Sequence, residues 1–200
     1  KDTSGGYGTG NDFGDTLIPI VLKKTLKFSH DWPAMFAIYS LSVLKKNGHD
    51  VSYSKELTNI HIDNDLFIIV SSIVCCETEC EYIKKLSKLK KKVFVIGPFA
   101  TSNPKKYIEA GGIVIMGEPE FFFLKYKDLN VKDNNKIINF DHNFNLDDLP
   151  YPDWEGVIKN NKTSLLFGFD KSLPILATRG CPYSCFKYCV YPLQQGRKPR

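Results

Sequence analysis

From residue 33 to about 120 the chain alternates between two hydrophobic periods, and that alternation predicts successive strand and helix units. Pro33 to Asn47 predicts a helix, with Phe36, Ile38, Leu41, Val43 and Leu44 apolar and Asn47-Gly48 as its stop. Asp50 to Ser54 reads as a short strand. Asp65 to Val74 is an almost continuous apolar run, the pattern of a strand covered on both faces. Glu77 to Leu89 sets Ile83, Leu86 and Leu89 on one helical face and Lys84, Lys85 and Lys88 mostly on the other. Lys92 to Ile96 is a strand ending at Gly97-Pro98, and Pro104 to Ala110 is a short helix stopped by Gly111-Gly112. Ile113 to Met116 is the last clear strand, followed by Gly117-Glu118-Pro119-Glu120.

Such alternation predicts an α/β fold, a Rossmann-like (flavodoxin-like) doubly wound parallel sheet with helices on both faces. An opening strand is missing from the pattern, since residues 1–10 read as a loop leaving a strand. Truncation at both ends is therefore expected: the first residue is Lys1, and Gly196 to Arg200 stop without a closing element. The glycine-rich stretch Gly5 to Gly14, with Gly6, Gly8 and Gly10, supplies neither G-x-G-x-x-G nor a P-loop. As a loop after a first strand it would lie at the carboxyl edge of the sheet, where doubly wound folds hold ligands. From about residue 125 the sequence breaks into Lys/Asp/Asn-rich stretches such as Asp133-Asn-Asn-Lys136 and Lys159-Asn-Asn-Lys162, which read as a linker. The division expected is a Rossmann-like domain over 1–124, a linker over 125–171 and a further unit over 172–200.

Composition narrows the function classes. With 42% hydrophobic and 24% charged residues the chain has the make-up of a soluble globular protein. Its longest apolar run, Leu66 to Cys76, falls far short of the ~20 residues of a membrane span. The net charge of +5 comes from dispersed lysines with acidic neighbours, and the densest group, Lys84 to Lys92, fits the solvated end of a helix; no nucleic-acid partner is expected. Six cysteines fall as two groups of three, Cys75, Cys76 and Cys80, then Cys181, Cys185 and Cys189, unlike a disulfide scaffold. A reducing cytoplasm is the expected location. The first group adjoins a core strand and reads as buried free thiols. Phe121 to Phe123 read as packing at a domain interface.

The second group carries the chemistry. Three thiolates without a fourth leave a metal site open, which suits an iron–sulfur cluster that binds a further ligand at one iron. On a helix Cys181 and Cys189 would stand about 12 Å apart along the axis, too far for one cluster. The triad is thus expected on a loop, as the flanking Gly180 and Pro182 suggest. A structural metal clip and unrelated buried thiols are the other readings of the same spacing.

The stretch Arg179-Gly-Cys-Pro-Tyr183 resembles the entry to the cluster motif of radical S-adenosylmethionine (radical SAM) enzymes, in the branch with an N-terminal cobalamin-binding domain. The commonest family spacing is CxxxCxxC, whereas this chain reads CxxxCxxxC. Leu146-Asp-Asp-Leu-Pro-Tyr-Pro-Asp153 resembles a segment common between the two domains of that family, and Ser172 to Thr178 would then be the first strand of the radical SAM (β/α) barrel. The resemblance implies a [4Fe-4S] cluster on Cys181, Cys185 and Cys189, with S-adenosylmethionine chelated at the open iron and Tyr183 and Tyr188 near the cluster or adenine. It implies reductive cleavage to a 5′-deoxyadenosyl radical, then methyl transfer to, or rearrangement of, an unactivated carbon. Cobalamin is implied over the sheet edge, against the Gly6–Gly10 loop, Ser71 to Ile73, Gly97-Pro98 and Gly117-Glu118. No Asp-x-His-x-x-Gly motif is present, so cobalt without a protein histidine is expected. A flavodoxin or ferredoxin is the implied electron donor, and the substrate a small molecule, natural product or lipid. A non-catalytic corrinoid- or nucleotide-binding module with a structural metal clip is the alternative, and a methylthiotransferase-type radical enzyme a third.

Overall fold

Leu66–Val70 (β1), Lys92–Ile96 (β2), Ile113–Met116 (β3) and Ile137–Asn139 (β4) form one sheet in the order β1-β2-β3-β4. Every pairing is parallel, with Ile68 opposite Phe94, Val95 opposite Val114 and Ile115 opposite Ile138. The computed structural model describes residues 34–54, 62–129, 131, 136–139, 144–155, 175–183, 185 and 189–200. The helices are α1 Met35–Lys46, α2 Cys76–Lys88, α3 Pro98–Ser102, α4 Pro104–Glu109, α5 Pro119–Lys125 and α6 Tyr191–Gln195.

Alternation along each strand sends side chains to two separate cores. Phe67, Ile69, Val93, Val95 and Val114 meet Ile83 and Leu86 of α2, Ala100 of α3 and Tyr107 of α4 on one face. Phe94, Ile96, Ile113 and Ile115 meet Phe36, Val43 and Leu44 of α1 and Phe122 and Phe123 of α5 on the other. The result is a three-layer α/β sandwich. Phe94 makes edge-to-face contacts with Phe122 and Phe123, so these two rings are core rather than domain-interface residues, while Phe121 stacks on Phe144.

Four differences from the sequence expectations have physical causes. β1 stops at Val70 because Ser71 turns the chain: its N–H donates to the Ile96 carbonyl at 2.8 Å, and Ile73 and Val74 point to solvent. Residues 51–54 hold no strand; Val51 instead leans on the core beside α1. Helices α3 and α5 were not expected from the pattern, yet each begins with proline in its first turn, after Gly97 and Glu118. Finally, β4 lies in the stretch whose composition suggested a linker, and only three residues, largely exposed, join the sheet there.

Downstream, the chain returns to α1. Asn145 caps the 3-10 turn Leu146–Asp148, and Asp153 pairs with Lys45 while its N–H donates to the Ser42 hydroxyl at 2.6 Å. Residues 175–178, the described part of the expected barrel strand, have no regular secondary structure; 172–174 lie outside the described residues.

Candidate functional site at the carboxyl edge of the sheet

In a parallel sheet every strand ends at the same edge, so the loops after β1, β2 and β3 are brought together. Their hydrogen bonds join them. The Ser71 hydroxyl accepts from Ala100 N–H at 2.9 Å, and the Gly117 N–H donates to Thr101 Oγ1 at 3.2 Å. Thr101 Oγ1 in turn donates to the Gly97 carbonyl at 2.9 Å. Gly97 adopts φ +111°, and a Cβ there would stand 2.9 Å from Ser71 Oγ and 3.1 Å from the Phe36 ring. Its lack of a side chain is thus already used by the protein's own packing.

The C-terminal segment lies across this edge. Arg179 and Arg200 exchange backbone hydrogen bonds of 3.0 and 2.8 Å, and Cys181 N–H donates to the Gly196 carbonyl at 3.1 Å. Gly180 sits between them at φ +91°, where a Cβ would meet the Lys198 carbonyl oxygen at 2.2 Å; only glycine fits. Helix α6 packs against α3.

Two arginines fasten the segment to two buried glutamates. Arg179 Nη1 donates to Glu118 Oε1 at 2.8 Å and to Glu120 Oε1, and Arg200 Nη2 donates to Glu118 Oε2 at 2.5 Å. Arg179 is 3% exposed, and its guanidinium lies 5.1 Å from the centroid of the Tyr39 ring. Burial raises the Glu120 carboxyl above its ordinary range, with the Arg179 charge opposing that rise. Burial works against the Arg179 charge too, but Glu120 and Glu118 outweigh it and hold the guanidinium firmly protonated. Among the described residues, Glu120 Oε2 and Arg179 Nη2 are buried without a hydrogen-bond partner.

Beside Arg179 opens a cleft of about 560 Å³. Met35 and Phe36 of α1, Leu176, Thr178 to Cys181, Cys189, Tyr191 and Gln195 line it. Cys181 and Cys189 therefore border one space, whereas Cys185 is exposed. The triad stands outside any regular element, as the helix-length argument requires, but among the described residues no three His, Cys, Asp or Glu side chains come close enough to hold a metal ion.

A second polar group is buried under the β1 loop. The Tyr107 hydroxyl donates to Glu79 Oε2 at 2.7 Å, and Ser72 N–H donates to the same oxygen at 3.2 Å. Burial pushes Glu79 upward despite both bonds, and it pushes the Cys80 thiol, with help from Cys76, up to about 11. Cys75 and Cys76 are buried, as expected of core thiols.

Of the residues singled out in the sequence, Ser71, Gly97, Gly117 and Glu118 are brought together and buried, Pro98 is half-buried, and Ile73 is 75% exposed. Tyr183 is exposed, and Gly6, Gly8, Gly10 and Tyr188 lie outside the described residues. Ser71 and Glu118 spend their polar atoms on protein partners, while Ile73 and Tyr183 are exposed. Sequence reasoning missed Glu120, Arg200 and Tyr39. The signal for the glutamates was available: two acidic residues flanking a proline directly after an apolar strand.

No model of a known protein family matches the chain, and no curated protein does. Among solved structures, it is similar to the N-terminal domain of a hypothetical protein of Thermotoga maritima, at 19% identity and a TM-score of 0.43, over 55% of this chain and 95% of that one.

Proposed function

We propose that this chain is part of a cobalamin-dependent radical SAM enzyme, with a Rossmann-like, flavodoxin-like corrinoid domain leading into a radical SAM barrel. The observation that carries the reading is where the Arg179-Gly-Cys-Pro-Tyr183 segment lies: against the carboxyl edge of a parallel α/β sheet, with Arg179 buried on the loop that follows β3. Ligands of open α/β folds bind at that edge. Bound cofactors would supply radical generation and methyl donation; among the chain's own residues Arg179, paired with Glu118 and Glu120, holds the loop.

In this reading Cys181, Cys185 and Cys189 are the cluster ligands, S-adenosylmethionine is the co-substrate, and cobalamin lies over the strand-end loops. The cluster would draw Cys185, which is exposed, together with Cys181 and Cys189, which line one cleft. A flavodoxin or ferredoxin would deliver the electron, in a cytoplasmic setting. Among the described residues no helix is long and apolar enough to cross a membrane.

One second reading is a non-catalytic corrinoid- or nucleotide-binding module, favoured by the fact that among the described residues no three His, Cys, Asp or Glu side chains come together. Anaerobic reconstitution of the full-length protein with iron, sulfide and hydroxocobalamin separates the two. The enzyme reading expects iron–sulfur and corrinoid absorption together, with 5′-deoxyadenosine formed from S-adenosylmethionine on reduction. Corrinoid absorption alone supports a corrinoid-binding module, and the absence of both signals refutes the enzyme and the corrinoid module.

A further inference from the structure

We infer that Arg179 is a positioning residue: it fixes the cysteine segment to the loop after β3, so that the exposure of Cys181 and Cys189 depends on its ion pairs with Glu118 and Glu120. This concerns the chain's own residues and holds whichever cofactor is bound.

The connection is continuous and polar. Ser71 bonds to Ala100, Thr101 bonds to Gly97 and Gly117, Glu118 follows Gly117, and Glu118 with Glu120 holds Arg179, two residues before Cys181. Glu118 commits one carboxylate oxygen to Arg179 and the other to Arg200, so a single side chain holds both ends of the segment that carries the cysteines. At 3% exposure for Arg179 and 0% for Glu120, water cannot easily replace these contacts. Buried charges deprived of a partner are strongly disfavoured. Releasing the segment would strand Glu118 and Glu120 without their counter-charges, and this biases it toward the closed arrangement. Arg179 acts by holding Gly180 and Cys181 on the edge.

Alkylation by iodoacetamide, followed thiol by thiol by peptide mass mapping on the full-length protein without metal, reads this directly. Cys181 and Cys189 are half-buried, Cys185 is exposed, and Cys75 and Cys76 are buried in a separate layer, so one experiment reports the segment and the fold together. Arg179→Met and Glu118→Gln should raise the rates at Cys181 and Cys189 several-fold, leave Cys185 near its already fast rate and keep Cys75 and Cys76 protected. Arg179→Lys should restore much of the protection, because one nitrogen, Nη1, makes both carboxylate contacts and an ammonium can stand in its place. If Arg179→Met does not fold, Glu118→Gln, which keeps the side chain's shape, decides. Unchanged rates at Cys181 and Cys189, or a parallel rise at Cys75 and Cys76, would overturn the inference. A cluster or corrinoid that fails to load bears only on the proposed function and leaves this result untouched.

Discussion

Replacing Tyr107 by Phe removes one oxygen from a fully buried position and leaves a carboxylate behind it. The hydroxyl donates to Glu79 Oε2 at 2.7 Å, and the ring, edge-on to Phe99, would stay in place in the variant. What remains for that oxygen is the longer bond from Ser72 N–H at 3.2 Å. A hydrogen bond to a charged group contributes about 1.5–3 kcal/mol. At about 2–4 °C per kcal/mol for a chain of this size, the melting temperature should fall by roughly 3–12 °C. The pH dependence follows from the sign of the Glu79 shift. Its folded pKa is raised by burial, so its contribution is fully present below the unfolded value and is lost as pH rises through the folded one. The Tyr107 bond opposes that rise; deleting it raises Glu79 further, so the loss in the variant should be largest at alkaline pH and shrink on acidification. Urea denaturation of both proteins at several pH values checks this. A destabilisation that stays constant with pH, or none at all, would show that the phenol does not support an ionised carboxylate.

Three further outcomes are expected. Gly97→Ala should destabilise by about 1–3 kcal/mol in thermal melts, since it combines a left-handed φ with a Cβ 2.9 Å from Ser71 Oγ. The Cys80 thiol, pushed up to about 11, should react slowly with iodoacetamide at pH 8 and accelerate steadily toward pH 10, because only the thiolate attacks; a pH-independent rate would contradict the shift. Under the enzyme reading, alanine at Cys181, Cys185 or Cys189 in the full-length protein should abolish S-adenosylmethionine cleavage while corrinoid binding persists, and cleavage at the wild-type rate would remove the triad from that role.

β2 and β3 were legible because they are short, apolar and bounded by glycine or proline: Lys92–Ile96 and Ile113–Met116 match the pattern residue for residue. What the pattern hid depends on partners distant in sequence. Ile137–Asn139 is short and set among Asp, Asn and Lys residues, so its composition passes for a linker, and it joins the sheet by pairing with β3. Ser71 to Val74 continues an apolar run, yet the chain turns there because Ile96 and Ala100 take up Ser71. At the candidate site the cysteines and the loop glycines could be named in advance. The burial of Arg179 could not, since its partners Glu118 and Glu120 lie 61 and 59 residues away and only the fold brings them together.

The order β1-β2-β3-β4 also has a consequence for how the chain is made. Each strand pairs with the next one synthesised, so the sheet can assemble in the direction of translation with short loop closures. Glu118 and Glu120 enter that nascent layer about 60 residues before Arg179 emerges and about 80 before Arg200 does. Until then two acidic side chains sit at a half-built edge with water as their only solvent of charge. The stretch from Arg179 to Arg200 is thus the one that neutralises and closes it, so a ribosome-bound intermediate should stay open at that edge until Arg200 has emerged.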